Sequence, residues 1–317
     1  MKSVIIGFGG ALPQKCIKND ELPASLNTSD EWISQRTGIK QRYVIGEGES
    51  TSTLSTKAAK DALDHAKISP NDIDLIIVGT TTGDYTFPAT ACVVQKNLGI
   101  TNGCPAFDVS AACSGFIYSL DVADSFIKAG RAKYALVIGA DCFSKILDWN
   151  DRSSCVLFGD GAGAVVLKAE EDADKGIQYC KTYADGSYTD YLVTSGGVST
   201  TQGAGVVTMK GREVFKFAVE KFCDTFHELL KKNNLNVEDV DLIIPHQANV
   251  RIINKLIDVL KIDPKKVVVT IDKHSNTSAA TIPLALNEIK DSIGTNKNVV
   301  LLSMGAGFTW GSILIRM

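Results

Sequence analysis

"SPNDIDLIIVGTT" (69–81) and "NVEDVDLIIPHQA" (236–248) are two versions of one pattern. In each, a polar turn runs through an aspartate into the apolar run Leu-Ile-Ile, at 75–77 and 242–244. Each follows an amphipathic helical stretch, "STKAAKDALDHAKI" (55–68) and the longer "FAVEKFCDTFHELLKKNN" (217–234). Downstream, "GRAKYALVIGA" (130–140) answers "GTNKNVVLLSMGAG" (294–307), and "GDGAGAVVL" (159–167) answers "GAGFTWGSILI" (305–315). Independent features that match in the same order indicate a duplicated α/β unit. The last pair is closer in register than the others, which places an insertion around 141–158 in the first half. Continuous apolar runs such as "KVVVTI" (266–271) and "ALVIGA" (135–140) predict largely parallel strands covered on both faces. The expected halves are 1–170 and 171–317, sharing one core, since no low-complexity linker separates them.

The chain has 317 residues, 22% charged and 44% hydrophobic, the balance of an ordinary globular protein. Its formal net charge of −3 gives no global basic field for nucleic acid. No apolar run approaches the roughly 18 residues that a membrane-spanning helix needs. Gly7, Gly9 and Gly10 break the opening "MKSVIIGFGGALPQ" too early for a signal peptide, and strand-then-turn fits it better. The eight cysteines include no C-x-x-C pair, which disfavours zinc, a thioredoxin-like motif and a disulfide framework. The reading is a reducing, cytoplasmic compartment in which a free thiol persists.

One thiol stands out. In "DVSAACSGFIYSL" (108–120), Cys113 is flanked by Ser110, Ala111, Ala112, Ser114 and Gly115, and Phe116, Ile117, Leu120 and Ala123 follow at helical spacing. Cys113 falls at a helix N-terminus, where unpaired N–H groups and the dipole favour a thiolate, so its pKa is expected to fall. Small neighbours let a substrate carbonyl approach; equally, they let helices pack closely. His246, in "DLIIPHQANVRIINKL" (241–256), follows an apolar strand, where open α/β sheets place ligands. His274 also follows one and competes with it, whereas His65 and His227 sit in amphipathic helices. Asn276, in "HSNTSAATIPLAL" (274–286), suits a helix N-cap, or an oxyanion donor beside a histidine. Cys113 belongs to the first half and the other two to the second, so a site at the junction would collect all three.

Together "SAACSGF", "PHQANVRII", "HSNTSAA", "GAGFTWGS" and "TSDEWISQRTGI" (28–39) resemble β-ketoacyl-acyl carrier protein synthase III, of the thiolase superfamily. The resemblance runs over about the whole chain. It implies a thiolase-like duplicated αβαβα fold with mixed, largely parallel sheets, as a homodimer. It implies decarboxylating condensation of a short acyl-CoA with malonyl-acyl carrier protein, with no metal or redox cofactor and no membrane insertion. Cys113 would carry the acyl group, its oxyanion received by N–H groups at Cys113 and in the 305–307 segment. His246 and Asn276 would donate hydrogen bonds to the malonyl thioester oxygen.

By the same resemblance, Trp32 would stack the coenzyme A adenine, with Thr28, Arg36 and Arg152 near the nucleotide. Gly211, Phe215 and Asn249 would line the pantetheine tunnel, and Phe87 would reach across the dimer to the acyl pocket. Lys216 and Arg251 would offer an acidic carrier protein a basic patch. Taken singly, Trp32 and Phe215 read as core aromatics and the arginines as solvated surface. The chain departs from frequent family usage at Met304 (often Phe), Ala306 (often Gly) and Ser275 (often Gly), which bears on acyl-chain preference. Asp258-Val259 stands where many relatives carry a basic pair, for which Lys255 and Lys261 can substitute.

The order Cys113, His246, Asn276 also fits a papain-like cysteine protease. Its C-G-S-C-W context is absent, however, and so are secretory features. A thiolase-fold enzyme with another product, such as a 3-hydroxy-3-methylglutaryl-CoA synthase, keeps the same fold. A non-enzymatic binding protein would not need the nucleophile, histidine and amide together.

Overall fold

The computed structural model describes residues 1–171 and 174–317. Two sheets dominate it. The first has the strand order Lys2–Ala11, Asp160–Glu170, Tyr134–Cys142, Leu75–Gly79, Ala106–Val109. The second has the order Gly176–Ala184, Thr309–Arg316, Asn298–Gly305, Leu242–Pro245. The four strands of the second sheet repeat the arrangement of the first four of the first, whose fifth strand, Ala106–Val109, has no counterpart. In both, the outer two pairings are antiparallel and the pairings that follow are parallel. The sheets are therefore mixed, and the parallel pairing expected from continuous apolar runs is confined to strands joined through helices.

The apolar runs are continuous because both faces of each sheet are covered. Successive strand residues point to opposite faces. Ala135 and Val137 accordingly pack into the central core, while Leu136, Ile138 and Ala140 pack outward against the helix Thr51–Ala66. In the second sheet, Val299 and Leu301 face the centre, while Val300, Leu302 and Met304 face the helices Gly211–Asn233 and Val250–Leu260. Between the sheets lie the helices Gly115–Lys128 and Thr281–Ile289, which contribute Phe116, Ile117 and Leu120, and Ile282, Ala285 and Leu286. The layers run helix, sheet, helix, sheet, helix.

The expected strand at 266–271 is reduced to one bridge, Val267 to Ile243, parallel. Gln247 explains the loss. Its side chain donates to the Val268 carbonyl at 3.1 Å and accepts the Thr270 N–H at 2.9 Å, standing in for a neighbouring strand. The insertion expected near 141–158 lies between the strands Tyr134–Cys142 and Asp160–Glu170, where the second half needs only residues 306–308.

The central helices approach the sheets closely through glycine. At Gly139 a Cβ would lie 2.2 Å from the Ala279 carbonyl oxygen, so only glycine lets the 278–280 turn seat on this strand. Overpacking of this kind costs about 1–3 kcal/mol. Gly139→Ala is expected to lower unfolding stability by that order in urea titration, and an unchanged midpoint would contradict the close approach.

Candidate active site

The turn Ala112–Ser114 leads into the helix Gly115–Lys128 and carries Cys113, 6% exposed. The second half holds this turn in place. Ser303 Oγ donates to the Cys113 carbonyl at 2.8 Å, and Thr309 Oγ1 donates to the Ala111 carbonyl at 3.1 Å. The Ser114 and Thr309 hydroxyls lie 2.6 Å apart. Gly305 packs directly on the turn, where a Cβ would lie 2.7 Å from the Cys113 nitrogen.

His246 follows the strand Leu242–Pro245, its N–H donating to the Leu302 carbonyl at 2.7 Å. Asn276 is tied to the insertion of the first half. Its N–H donates to Leu157, its carbonyl accepts the Gly159 N–H, both at 3.0 Å, and it bridges Phe158. The buried Arg42 supports that segment, its guanidinium donating to the Val156 carbonyl at 3.0 Å and to Asn19 Oδ1 at 2.8 Å. Burial lowers this guanidinium to about 10, still charged at neutral pH. The side-chain oxygen of Asn276 accepts the Ser278 N–H at 2.9 Å, which leaves its NH2 group to donate elsewhere. Asn276 is not the helix N-cap expected on sequence grounds: Thr277 and Ala280 stand at those positions, neither with a side-chain cap.

Cys113, His246 and Asn276 line one narrow cavity of about 100 Å³ between the halves. Its walls are otherwise mostly apolar, including Leu157, Phe158, Phe222, Ile252 and Met304. Gly211, Phe215 and Asn249 also line it, and Asn249 caps the helix Val250–Leu260 by accepting the Arg251 N–H at 2.9 Å. Trp32, Arg36 and Arg152 form a second cluster, with the guanidinium carbons 4.5 Å and 5.2 Å from the indole centroid. Arg152 also donates to the Asn27 carbonyl, next to Thr28, whose buried hydroxyl has no partner among the described residues. Trp32 belongs to the same hydrophobic cluster as Leu157, Phe158 and Leu192, which line the cavity, but does not itself line it. Lys216 and Arg251 are exposed. Phe87, 84% exposed beside Tyr85, does not line the cavity of a single chain. His274 lies outside the cavity, 3.9 Å from Glu288.

Burial dominates the electrostatics. It pushes the Cys113 thiol up to about 12, against a smaller lowering by Ser278, with the Asp141 charge adding to the rise. The depressed pKa expected from the helix N-terminus is therefore corrected: a thiolate in this enclosed cavity loses its hydration, and that loss is the largest influence on the thiol. Burial likewise lowers His246 to about 3, so the ring is neutral at physiological pH.

Sequence reasoning missed three buried polar residues. Asp141 Oδ1 accepts from the Thr80, Thr81 and Thr82 hydroxyls and from the Thr81 N–H, and Oδ2 accepts the Ala279 N–H at 3.3 Å. Ser278 Oγ acts on the ionisation of both Cys113 and Asp141 without an aligned hydrogen bond to either. Thr281 Oγ1 lies 2.6 Å from His246 Nδ1. Nothing in their local sequence separates them from ordinary turn-formers.

The family pattern described as 3-oxoacyl-[acyl-carrier-protein (ACP)] synthase III matches residues 107–186, and its C-terminal counterpart matches 230–317. The β-ketoacyl-[acyl-carrier-protein] synthase III of Rhizorhabdus wittichii is 53% identical over 317 residues, covering 99% of both chains. The chain belongs to the 3-oxoacyl-[acyl-carrier-protein] synthase III family. The Wolbachia pipientis wMel synthase III is 55% identical over 318 residues, covering 99% of each chain. The crystal structure of the Aquifex aeolicus VF5 synthase III superposes with a TM-score of 0.94 at 48% identity, covering 99% of this chain and 100% of that one. The thiolase-like fold follows, and the protein is a condensing enzyme of the acyltransferase class; the papain-like alternative is excluded. Among the described residues no group of three or more His, Cys, Asp or Glu could hold a metal ion, and no helix is long and apolar enough to cross a membrane.

Two measurements test the burial. Iodoacetamide alkylation of Cys113 should accelerate about tenfold per pH unit from 7 to 10 with no plateau, and run slower than at exposed Cys16 and Cys92. A plateau near neutral pH would restore the depressed thiol. His246 bears on stability with a definite sign. Between its folded value of about 3 and its unfolded value near 6.5, only the unfolded chain binds this proton. Folded stability therefore drops as pH falls below about 6.5, by about 1.4 kcal/mol per unit from this group. The stability of His246→Ala relative to wild type should improve along the same slope. A difference that stays constant from pH 7.5 to 4.5 would refute the burial penalty.

Proposed function

We propose that Cys113, His246 and Asn276 together carry the family's reaction: decarboxylating condensation of a short acyl-CoA with malonyl-acyl carrier protein, which initiates fatty-acid synthesis. The observation that carries the assignment is the single cavity in which the two halves, 1–170 and 171–317, present these three side chains. The Cys113 sulfur attacks the thioester carbonyl and takes the acyl group. Coenzyme A departs as its thiol, and the proton lost from Cys113 balances that leaving group. N–H groups of the Cys113 turn and the adjoining 305–307 segment receive the oxyanion.

In the second half-reaction, malonyl-acyl carrier protein enters the same cavity. His246 and the Asn276 NH2 donate to its thioester oxygen. The carboxylate leaves as carbon dioxide, and the electrons of that bond form an enolate held by the two donors. Its carbon attacks the acyl-cysteine carbonyl, releasing 3-oxoacyl-acyl carrier protein and the Cys113 sulfur, which regains a proton. Neutral donors suit this step, because they stabilise developing negative charge without themselves titrating. The reaction calls for no cofactor.

Trp32 with Arg36, Arg152 and Thr28 is the nucleotide end of the coenzyme A site, and Gly211, Phe215 and Asn249 hold the pantetheine arm. Lys216 and Arg251 steer the acidic carrier protein. Phe87, left exposed in one chain, is covered in a homodimer and closes the partner's acyl pocket. The compartment is the cytoplasm.

Intact-mass spectrometry after acyl-CoA addition, followed by malonyl-acyl carrier protein, separates the two half-reactions. Cys113→Ala should form no acyl adduct yet retain some decarboxylation. His246→Ala and Asn276→Ala should acquire the adduct and lose decarboxylation by about 10²- to 10³-fold, the typical cost of one oxyanion donor. Full condensation by Cys113→Ala would overturn the nucleophile assignment.

A further inference from the structure

Thr281 is 2% exposed, and its hydroxyl touches two groups. His246 Nδ1 lies at 2.6 Å and the Ser278 carbonyl oxygen at 3.1 Å. A hydroxyl has one proton to donate and lone pairs to accept with. Only one of these neighbours can receive that proton, and the choice fixes the imidazole. Given to Ser278, it obliges Nδ1 to carry a hydrogen of its own, and Nε2 becomes a bare lone pair. Given to Nδ1, it leaves the ring hydrogen on Nε2. The second arrangement is favoured on two counts. The Ser278 carbonyl already accepts the Thr281 backbone N–H, so it stays partnered without the hydroxyl. The contact to the ring is also the shorter of the two.

The ring is neutral, so one nitrogen carries the hydrogen and the other does not. Nε2 is not sealed away: His246 lines the cavity, and among the described residues no side-chain or backbone group pairs with Nε2. We propose that Thr281 is a positioning residue, donating its hydroxyl hydrogen to His246 Nδ1 and thereby holding the ring hydrogen on Nε2, where it faces substrate. This rests on the catalytic reading of His246 above and deepens it. The ring is a fixed hydrogen-bond donor to a substrate oxygen and, having no free lone pair toward the cavity, does not take the Cys113 proton. The same turn orients Asn276 through the Ser278 N–H, so one turn aims both donors.

The test reads the tautomer directly. Protein labelled with ¹⁵N in its four histidines is examined without substrate, and His246→Ala identifies the relevant signals by their loss. Wild type should show a protonated Nε2 and an unprotonated Nδ1. Thr281→Val keeps the side-chain volume but can neither donate nor accept. It should lose that pattern and decarboxylate malonyl-acyl carrier protein at least about tenfold more slowly, part of the 10²- to 10³-fold cost of one donor. Its KM for the carrier-protein substrate and its rate of Cys113 acylation should stay within about twofold, since neither step uses that donor. Thr281→Ser should restore both tautomer and rate.

A protonated Nδ1 in wild type overturns the proposal, and that spectrum decides the matter even if the valine variant does not fold. An Nε2–H pattern that persists in Thr281→Val overturns it as well. So does normal decarboxylation by Thr281→Val where His246→Ala is impaired. If the tautomer shifts while decarboxylation is normal in both Thr281→Val and His246→Ala, the hold of Thr281 on the ring is supported and the catalytic reading of His246 fails instead.

Discussion

The clamp of residues 303–309 on the Cys113 turn is the contact on which the site depends. Ser303 and Thr309 fix the carbonyls on either side of the cysteine, and the missing side chain of Gly305 lets the hairpin strand lie directly against it. Neither half can set this geometry alone. The first supplies a turn with a thiol, and the second supplies the surface that decides where the thiol points. The reciprocal tie, Asn276 paired to Leu157 and Gly159, locks the junction from the other side. The cavity lies between these two seams.

The same burial that builds the site sets its charge state. A thiol raised by desolvation and an imidazole lowered by it are both neutral, so the resting cavity holds no ion pair between Cys113 and His246. Nearby, the buried carboxyl of Asp141 is surrounded by threonine hydroxyls and backbone N–H groups. Burial raises its pKa and these donors oppose the rise. Through the Ala279 N–H it holds the 278–280 turn. The cavity therefore has directed dipoles and little mobile charge, the condition under which a hydrogen bond to a developing oxyanion is strong.

The duplicated fold was legible because a sheet covered on both faces leaves uninterrupted apolar runs, and because the two copies keep their order. The residues proposed as catalytic were legible because each stands beside a conspicuous signal: a small-residue turn, a strand end, a helix start. Thr281 and Asp141 were not legible, since their partners are far away in sequence. The run at 266–271 misled because Gln247 satisfies its backbone in place of a strand, which apolar content cannot reveal. The thiol misled for a different reason. The dipole is a local property of a helix end, whereas desolvation is set by every wall of the cavity, and most of those walls come from the other half.

The clamp has a consequence for the order in which the protein is made. The Ser303–Cys113 hydrogen bond spans 190 residues. At the usual 5–20 residues per second of translation, roughly 10–40 s separate the synthesis of Cys113 from that of its clamp. Through that interval the first sheet can assemble on the ribosome, but the thiol's turn lacks the surface that shapes it, and neither His246 nor Asn276 is in place until late. The cavity between the halves is thereby absent from incomplete chains. A stalled or truncated product carries Cys113 without most of the walls that enclose it.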